Sequence, residues 1–174
     1  MIKIIISALL ILSPAIVSIY SYQVPAANNG ILDFNDYRHK KILLVNIASG
    51  SNQVGQLAAL QQLYAAHSDS LVVVAFPSNS FGNEPKSDSE IVSFMQQNYQ
   101  ISFPIAAKSE VKGSQANVIY KWLENKTLND VVSVKMRTDF QKYLIDERGK
   151  IIGQFDSSIS PLSAVVQNAI RVNH

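Results

Sequence analysis

Two apolar runs with one amphipathic stretch between them constrain this chain more than any other feature. Residues 41–48 (Lys41-Ile42-Leu43-Leu44-Val45-Asn46-Ile47-Ala48) and 71–76 (Leu71-Val72-Val73-Val74-Ala75-Phe76) are near-continuous hydrophobic segments of strand length. Runs of this kind suit strands covered on both faces, because a strand with one wet face alternates apolar and polar side chains. Between them, residues 54–67 place Leu57, Leu60, Leu63 and Tyr64 at helical spacing. Strand, helix and strand in this order make a parallel crossover. Further along, Ser87-Asp88-Ser89-Glu90 has the form of a helix capping box ahead of Ile91, Phe94 and Met95. Residues 116–125 predict a helix through Val118, Ile119, Trp122 and Leu123. Residues 140–145 and 150–155 read as strands joined by Asp146-Glu147-Arg148-Gly149, a hairpin signal. Ser160-Pro161 opens a last helix, with Leu162, Val165, Val166, Ala169 and Ile170 expected toward the core. The periodicity therefore predicts an α/β chain with a central mixed β-sheet flanked by helices in three layers.

The N-terminus reads differently. Lys3 supplies one positive charge, a mostly apolar run over residues 4–19 is broken by Ser7, Ser13, Pro14 and Ser18, and Ser21 is a small residue near its exit. This is the pattern of a signal peptide over residues 1–21, which predicts an exported protein, periplasmic or secreted. The alternative is a membrane anchor over residues 4–20, but a span needs about 20 apolar residues and Pro14 interrupts this one. Residues 22–40 are expected to be a lead-in, flexible over 22–30, and residues 41–174 the folded domain.

Composition removes several classes of function. Hydrophobic residues make up 47% and charged residues 16%, enough to bury a core. Lys and Arg number 15 against 13 Asp and Glu, a net charge of +2 with no basic stripe, so nucleic acid is not an expected partner. There is no cysteine, which excludes disulfides, thiolate metal sites and every cysteine-based reaction. Asp33, Asp36 and His39 lie close in sequence, as do Asp88 and Glu90. Neither group makes a four-ligand set, so no metal and no other cofactor is expected.

Five segments in order, residues 45–49, 76–85, 98–104, 120–123 and 140–146, resemble the motifs of the glutathione peroxidase family. Val45-Asn46-Ile47-Ala48-Ser49 is similar to its V-N-x-A-S strand end. Phe76-Pro77-Ser78-Asn79-Ser80-Phe81-Gly82, followed by Glu84-Pro85, is similar to its F-P-C-N-Q-F-G…E-P loop. Asn98-Tyr99 to Phe103-Pro104, Tyr120-Lys121-Trp122-Leu123 and Phe140-Gln141-Lys142-Tyr143-Leu144-Ile145-Asp146 resemble the family's N-Y-x-x-x-F-P, Y-K-W-L and F-x-K-F-L-V-D. The resemblance implies a thioredoxin-like fold and, as lineage activity, thiol-dependent reduction of hydroperoxides with glutathione or thioredoxin as partner. The short segment over residues 128–136 goes, in that family, with a monomer. The stretch before Lys41 is shorter than the family's usual N-terminal hairpin.

The same resemblance implies four site positions, and all four differ here. The cysteine or selenocysteine nucleophile, at the start of the first helix, is Ser51. The glutamine, tryptophan and asparagine that donate hydrogen bonds around the sulfur are Ser80, Thr138 and Asp139. Residues 95–97, where thioredoxin-recycled members carry a second cysteine, hold none. Serine lacks the thiol's acidity and its reversible oxidation states, so the chain is expected to be an inactive member with a binding or vestigial role. The competing reading is an enzyme with a non-thiol mechanism in the same pocket. A serine nucleophile needs a base in reach, and His39, His67 and His174 all fall away from Ser51 in the predicted elements. Asn79 and Asn46 are expected to brace the loop and strand end, and Trp122 to pack in the core.

Overall fold

Both apolar runs are strands, and every residue of each is buried. The computed structural model describes residues 16–131 and 133–172. In chain order its elements are β1 (Gln23–Pro25), β2 (Ile31–Asp33), β3 (Lys41–Ile47), α1 (Gln56–His67), β4 (Leu71–Pro77), α2 (Asp88–Tyr99), α3 (Val118–Glu124), α4 (Lys126–Asn129), β5 (Lys142–Ile145), β6 (Ile151–Phe155) and α5 (Ala164–Arg171). Short 3₁₀ turns at Ile19–Ser21 and Phe34–Tyr37 precede β1 and follow β2.

The main sheet has the order β4-β3-β5-β6. β3 pairs parallel with β4, from Lys41 opposite Leu71 to Ile47 opposite Pro77, and antiparallel with β5. β5 and β6 form the predicted antiparallel hairpin. Successive side chains of a strand face opposite ways, and the core divides accordingly. Leu43, Val45 and Ile47 of β3 and Leu71, Val73 and Ala75 of β4 pack with Leu57, Leu60 and Leu63 of α1, Ile91 and Met95 of α2, and Val166 and Ile170 of α5. Ile42, Leu44, Val72, Val74 and Phe76 pack on the other face with Ile119, Tyr120, Trp122 and Leu123 of α3. The three-layer α/β architecture with a mixed sheet is as the periodicity predicted. The capping box is present too, with the Glu90 carboxylate accepting from the Ser87 amide at 2.8 Å.

Two local expectations are corrected. The lead-in is built structure: β1 and β2 pair from Gln23 opposite Asp33 to Pro25 opposite Ile31, and Val24 and Phe34 join the core. Three-residue strands interrupted by Pro25 and an Asn-Asn-Gly turn carry too little alternation to be read. The last helix starts at Ala164, capped by Ser163, while Ser160 caps only the turn before it. Val165 consequently points outward at 62% exposure instead of into the core. Residues 1–15 of the expected leader lie outside the described residues, whereas Ile19 and Tyr20, from its end, are buried at 0% and 5% exposure.

Candidate functional site

β3 ends at Ile47 and delivers residues 48–55 to the C-terminal edge of the sheet as a turn ahead of α1. Ser51 lies in that turn at 7% exposure. Its amide donates to the Ala48 carbonyl at 3.2 Å, and the Val54 amide donates to the Ser51 carbonyl at 3.1 Å. Its Oγ accepts from the Gln53 amide at 3.3 Å. The helix proper begins only at Gln56, so Ser51 belongs to the turn instead of heading α1. No histidine side chain is hydrogen-bonded to Ser51 among the described residues.

The loop after β4 closes over this turn. Gly50 donates its amide to the Asn83 carbonyl at 2.9 Å, and a Cβ on residue 50 would lie 2.8 Å from that oxygen. Only glycine fits such a close backbone approach. Glu84, buried at 1% exposure, holds the other side: its carboxylate accepts from the Ser49 amide at 2.7 Å, the Ser49 hydroxyl at 2.8 Å and the Lys86 amide at 3.2 Å. Asn79 braces the same loop, its Oδ1 accepting from the Glu84 amide at 3.0 Å.

Asp139 reaches the site from the segment before β5. It is 1% exposed; Oδ2 accepts from Asn83 Nδ2 at 2.7 Å, and Oδ1 has no partner. Burial raises its carboxyl above the usual aspartate range, and the Glu84 charge adds to this. The Asn83 bond and the Lys112 charge pull the other way. The backbone here is held hard. Phe140 is fully buried at φ 61°, a conformation a bulky side chain rarely adopts. Its amide donates to the Asn46 carbonyl at 2.6 Å. Its carbonyl accepts from Lys142 Nζ at 2.8 Å. Asn46 Nδ2 donates to the Thr138 carbonyl at 2.9 Å, and Gln141 Oε1 accepts from the Thr138 amide at 3.1 Å.

The expected positions therefore converge only in part. Asn79 and Asp139 are tied through Glu84 and Asn83 to the turn that carries Ser51, at the Ser49 and Gly50 amides, whereas the hydrogen bonds of Ser51 itself stay within that turn. Thr138 contributes backbone bonds, and its side chain is exposed where the resemblance placed a tryptophan. The Ser80 hydroxyl is committed elsewhere: it donates to the Glu110 carboxylate and accepts from the Val111 amide at 2.9 Å and from the Ser78 hydroxyl at 3.0 Å. Sequence motifs do not single out Asn83, whose partner Asp139 is 56 residues away, or Gln141 and Lys142, which bond nearby backbone groups that no side-chain pattern marks. Glu84 carried a signal, as the acid of the Glu84-Pro85 pair. Among the described residues no group of three or more His, Cys, Asp or Glu is arranged to hold a metal ion. A polar cleft of about 430 Å³ opens beside the 138–142 segment, lined by Lys135, Arg137, Gln141, Gln154 and Asp156.

Comparison with known proteins gives one consistent answer. Residues 19–124 match a family model described as glutathione peroxidase. A glutathione peroxidase-like peroxiredoxin of Candida albicans is 35% identical over 149 residues, covering 83% of this chain and 87% of its own. A crystal structure described as Trgpx in apo form superposes with a TM-score of 0.69 at 29% identity, covering 91% of this chain and 98% of that one. A thioredoxin-family thiol:disulfide interchange protein from Chlorobium tepidum, at 11% identity and a TM-score of 0.63, shares the fold alone.

Proposed function

The chain belongs to the glutathione peroxidase family, and from that premise we propose that it keeps the thioredoxin-like scaffold, has lost thiol-dependent hydroperoxide reduction, and acts by binding. The observation that carries the proposal is the hydroxyl of Ser51 at the nucleophile position, in a chain with no cysteine to replace it. In the family reaction a thiolate or selenolate accepts an oxygen from the hydroperoxide, releasing an alcohol or water. Two thiol equivalents then remove that oxygen as water. A serine hydroxyl cannot accept the oxygen reversibly, and it remains protonated at neutral pH.

The surroundings support the same reading. The asparagine position is now a carboxyl on which the Glu84 charge acts more strongly than that of Lys112, so anionic character at residue 51 would be opposed rather than stabilised. Asp139 is also engaged by Asn83 and so is poorly placed to serve Ser51 as a base. The polar cleft at Lys135 and Arg137 offers a place for a ligand with anionic groups, and the lineage points to glutathione or thioredoxin as the partner class.

Rebuilding the site tests this. Ser51→Cys alone is expected to give little hydroperoxide turnover, and adding Asp139→Asn and Ser80→Gln is expected to raise it stepwise. A fast rate from Ser51→Cys alone would refute the claim that the surroundings are unfit. Ser51→Ala should leave ligand binding intact, whereas a non-thiol enzyme working through Ser51 would lose its activity.

A further inference from the structure

The packing of residues 17–21 moves the end of the leader. We propose that signal processing cuts the Ala15–Ile16 bond, and that the mature protein starts at Ile16. Water adds across this amide under an export peptidase, leaving a carboxylate on Ala15 and an ammonium on Ile16.

The first argument is what the fold needs. The Val17 amide donates to the Leu128 carbonyl at 2.9 Å, and the Val17 carbonyl accepts from the Trp122 indole Nε1 at 2.7 Å. Ile19 is fully buried. The Tyr20 hydroxyl donates to the carbonyls of Asp146 at 3.3 Å and Glu147 at 3.0 Å, and the Arg38 guanidinium lies 4.6 Å over its ring. Gly149 has φ 83°, and a Cβ there would come within 3.0 Å of the Tyr20 ring. The β5–β6 turn is thus shaped around Tyr20. A cut after Ser21 would remove all of this, strip the buried indole of its acceptor and open the core between α3 and the β5–β6 turn. Ile16, at 63% exposure, makes no comparable contact. The disposable chain therefore ends near residue 16. The family match likewise begins at residue 19, inside the segment a cut after Ser21 would discard.

The second argument is local sequence. Export peptidases read small residues one and three positions before the cut. Ser13-Pro14-Ala15 supplies both, while a cut after Ser21 would put Ile19 at the third position. Lys3 and residues 4–12, apolar but for Ser7, then form a basic start and an apolar middle of ordinary length.

The test uses the full chain in an exporting bacterial host, with the product read by N-terminal sequencing and intact mass. The expected terminus is Ile16. Ala15→Glu should leave an uncut precursor. Ser21→Glu, at an exposed position, should be processed like the unaltered chain. A terminus at Tyr22, a block by Ser21→Glu, or an unaltered chain that keeps Met1 in the membrane fraction would each overturn the proposal.

Discussion

Lys142 ties the strained segment around Asp139 to the rest of the domain, and its replacement by Met makes a sharp prediction. The side chain is fully buried. Nζ donates to the Phe140 carbonyl at 2.8 Å and, more loosely, to those of Asp156 and Ser157 at 3.5 Å. Burial pulls its pKa from 10.5 down to about 8, and the Asp156 charge offsets part of that. Below pH 8 both folded and unfolded chains carry the proton, so the cost of burying the charge is present in full. Between these two pKa values the unfolded chain binds a proton that the folded chain does not. Stability therefore rises with pH in that window, by at most about 1.4 kcal/mol per unit and about 3 kcal/mol in all. Lys142→Met removes the buried charge but strands the Phe140 carbonyl, at a cost of about 1–3 kcal/mol. The two effects nearly cancel at neutral pH, so the variant should be close to the unaltered protein there. Near pH 10 it should be less stable by about 2–3 kcal/mol. Urea unfolding followed through the single, buried Trp122 reads this directly. Tyrosine ionisation affects both proteins alike and drops out of the difference. A difference that stays constant from pH 7 to pH 10, or one of opposite sign, would refute the reasoning.

Asp139→Asn should act in the acid range. The folded-state carboxyl titrates above its ordinary 3.8, so the native state binds the extra proton and stability falls as pH rises through that window. The Asn variant should lack this fall and gain on the unaltered protein as pH rises above the ordinary aspartate value in urea melts; parallel profiles would count against it. Gly50→Ala should cost about 1–3 kcal/mol, because its Cβ meets the Asn83 carbonyl at 2.8 Å and must push the loop outward. Faster hydrogen exchange at residues 79–85 in that variant would accompany the loss, and an unchanged melt would contradict the close approach.

Local patterns made most of the fold legible. The alternation inside residues 41–47 sends Leu43, Val45 and Ile47 to one core and Ile42 and Leu44 to the other, and the strand pair follows from two such runs. The capping box at Ser87 and the hairpin at Asp146-Glu147-Arg148-Gly149 depend on neighbours a few residues apart. The β1–β2 pair was not legible, since three-residue strands hardly show a period. Ile19 and Tyr20 are buried in the core, and in sequence apolar core residues cannot be told from those of a leader. At the site, the motifs marked Ser51, Asn79 and Asp139; Asn79 and Asp139 bond to neighbouring residues Glu84 and Asn83 of one loop, while Ser51 bonds within its own turn. The bonds that shut the site join Asn83 to Asp139 and Ser80 to Glu110, 56 and 30 residues apart. No local spacing encodes such pairs, so the diversion of Ser80 away from Ser51 could be seen only in three dimensions.

Loss of the reversible oxygen acceptor is tested most directly by following hydrogen peroxide and a lipid hydroperoxide with the purified chain, coupled to glutathione or to thioredoxin. The expected rate equals that of buffer at every protein concentration. A saturable rate that scales with protein concentration and survives removal of contaminating peroxidases would contradict it.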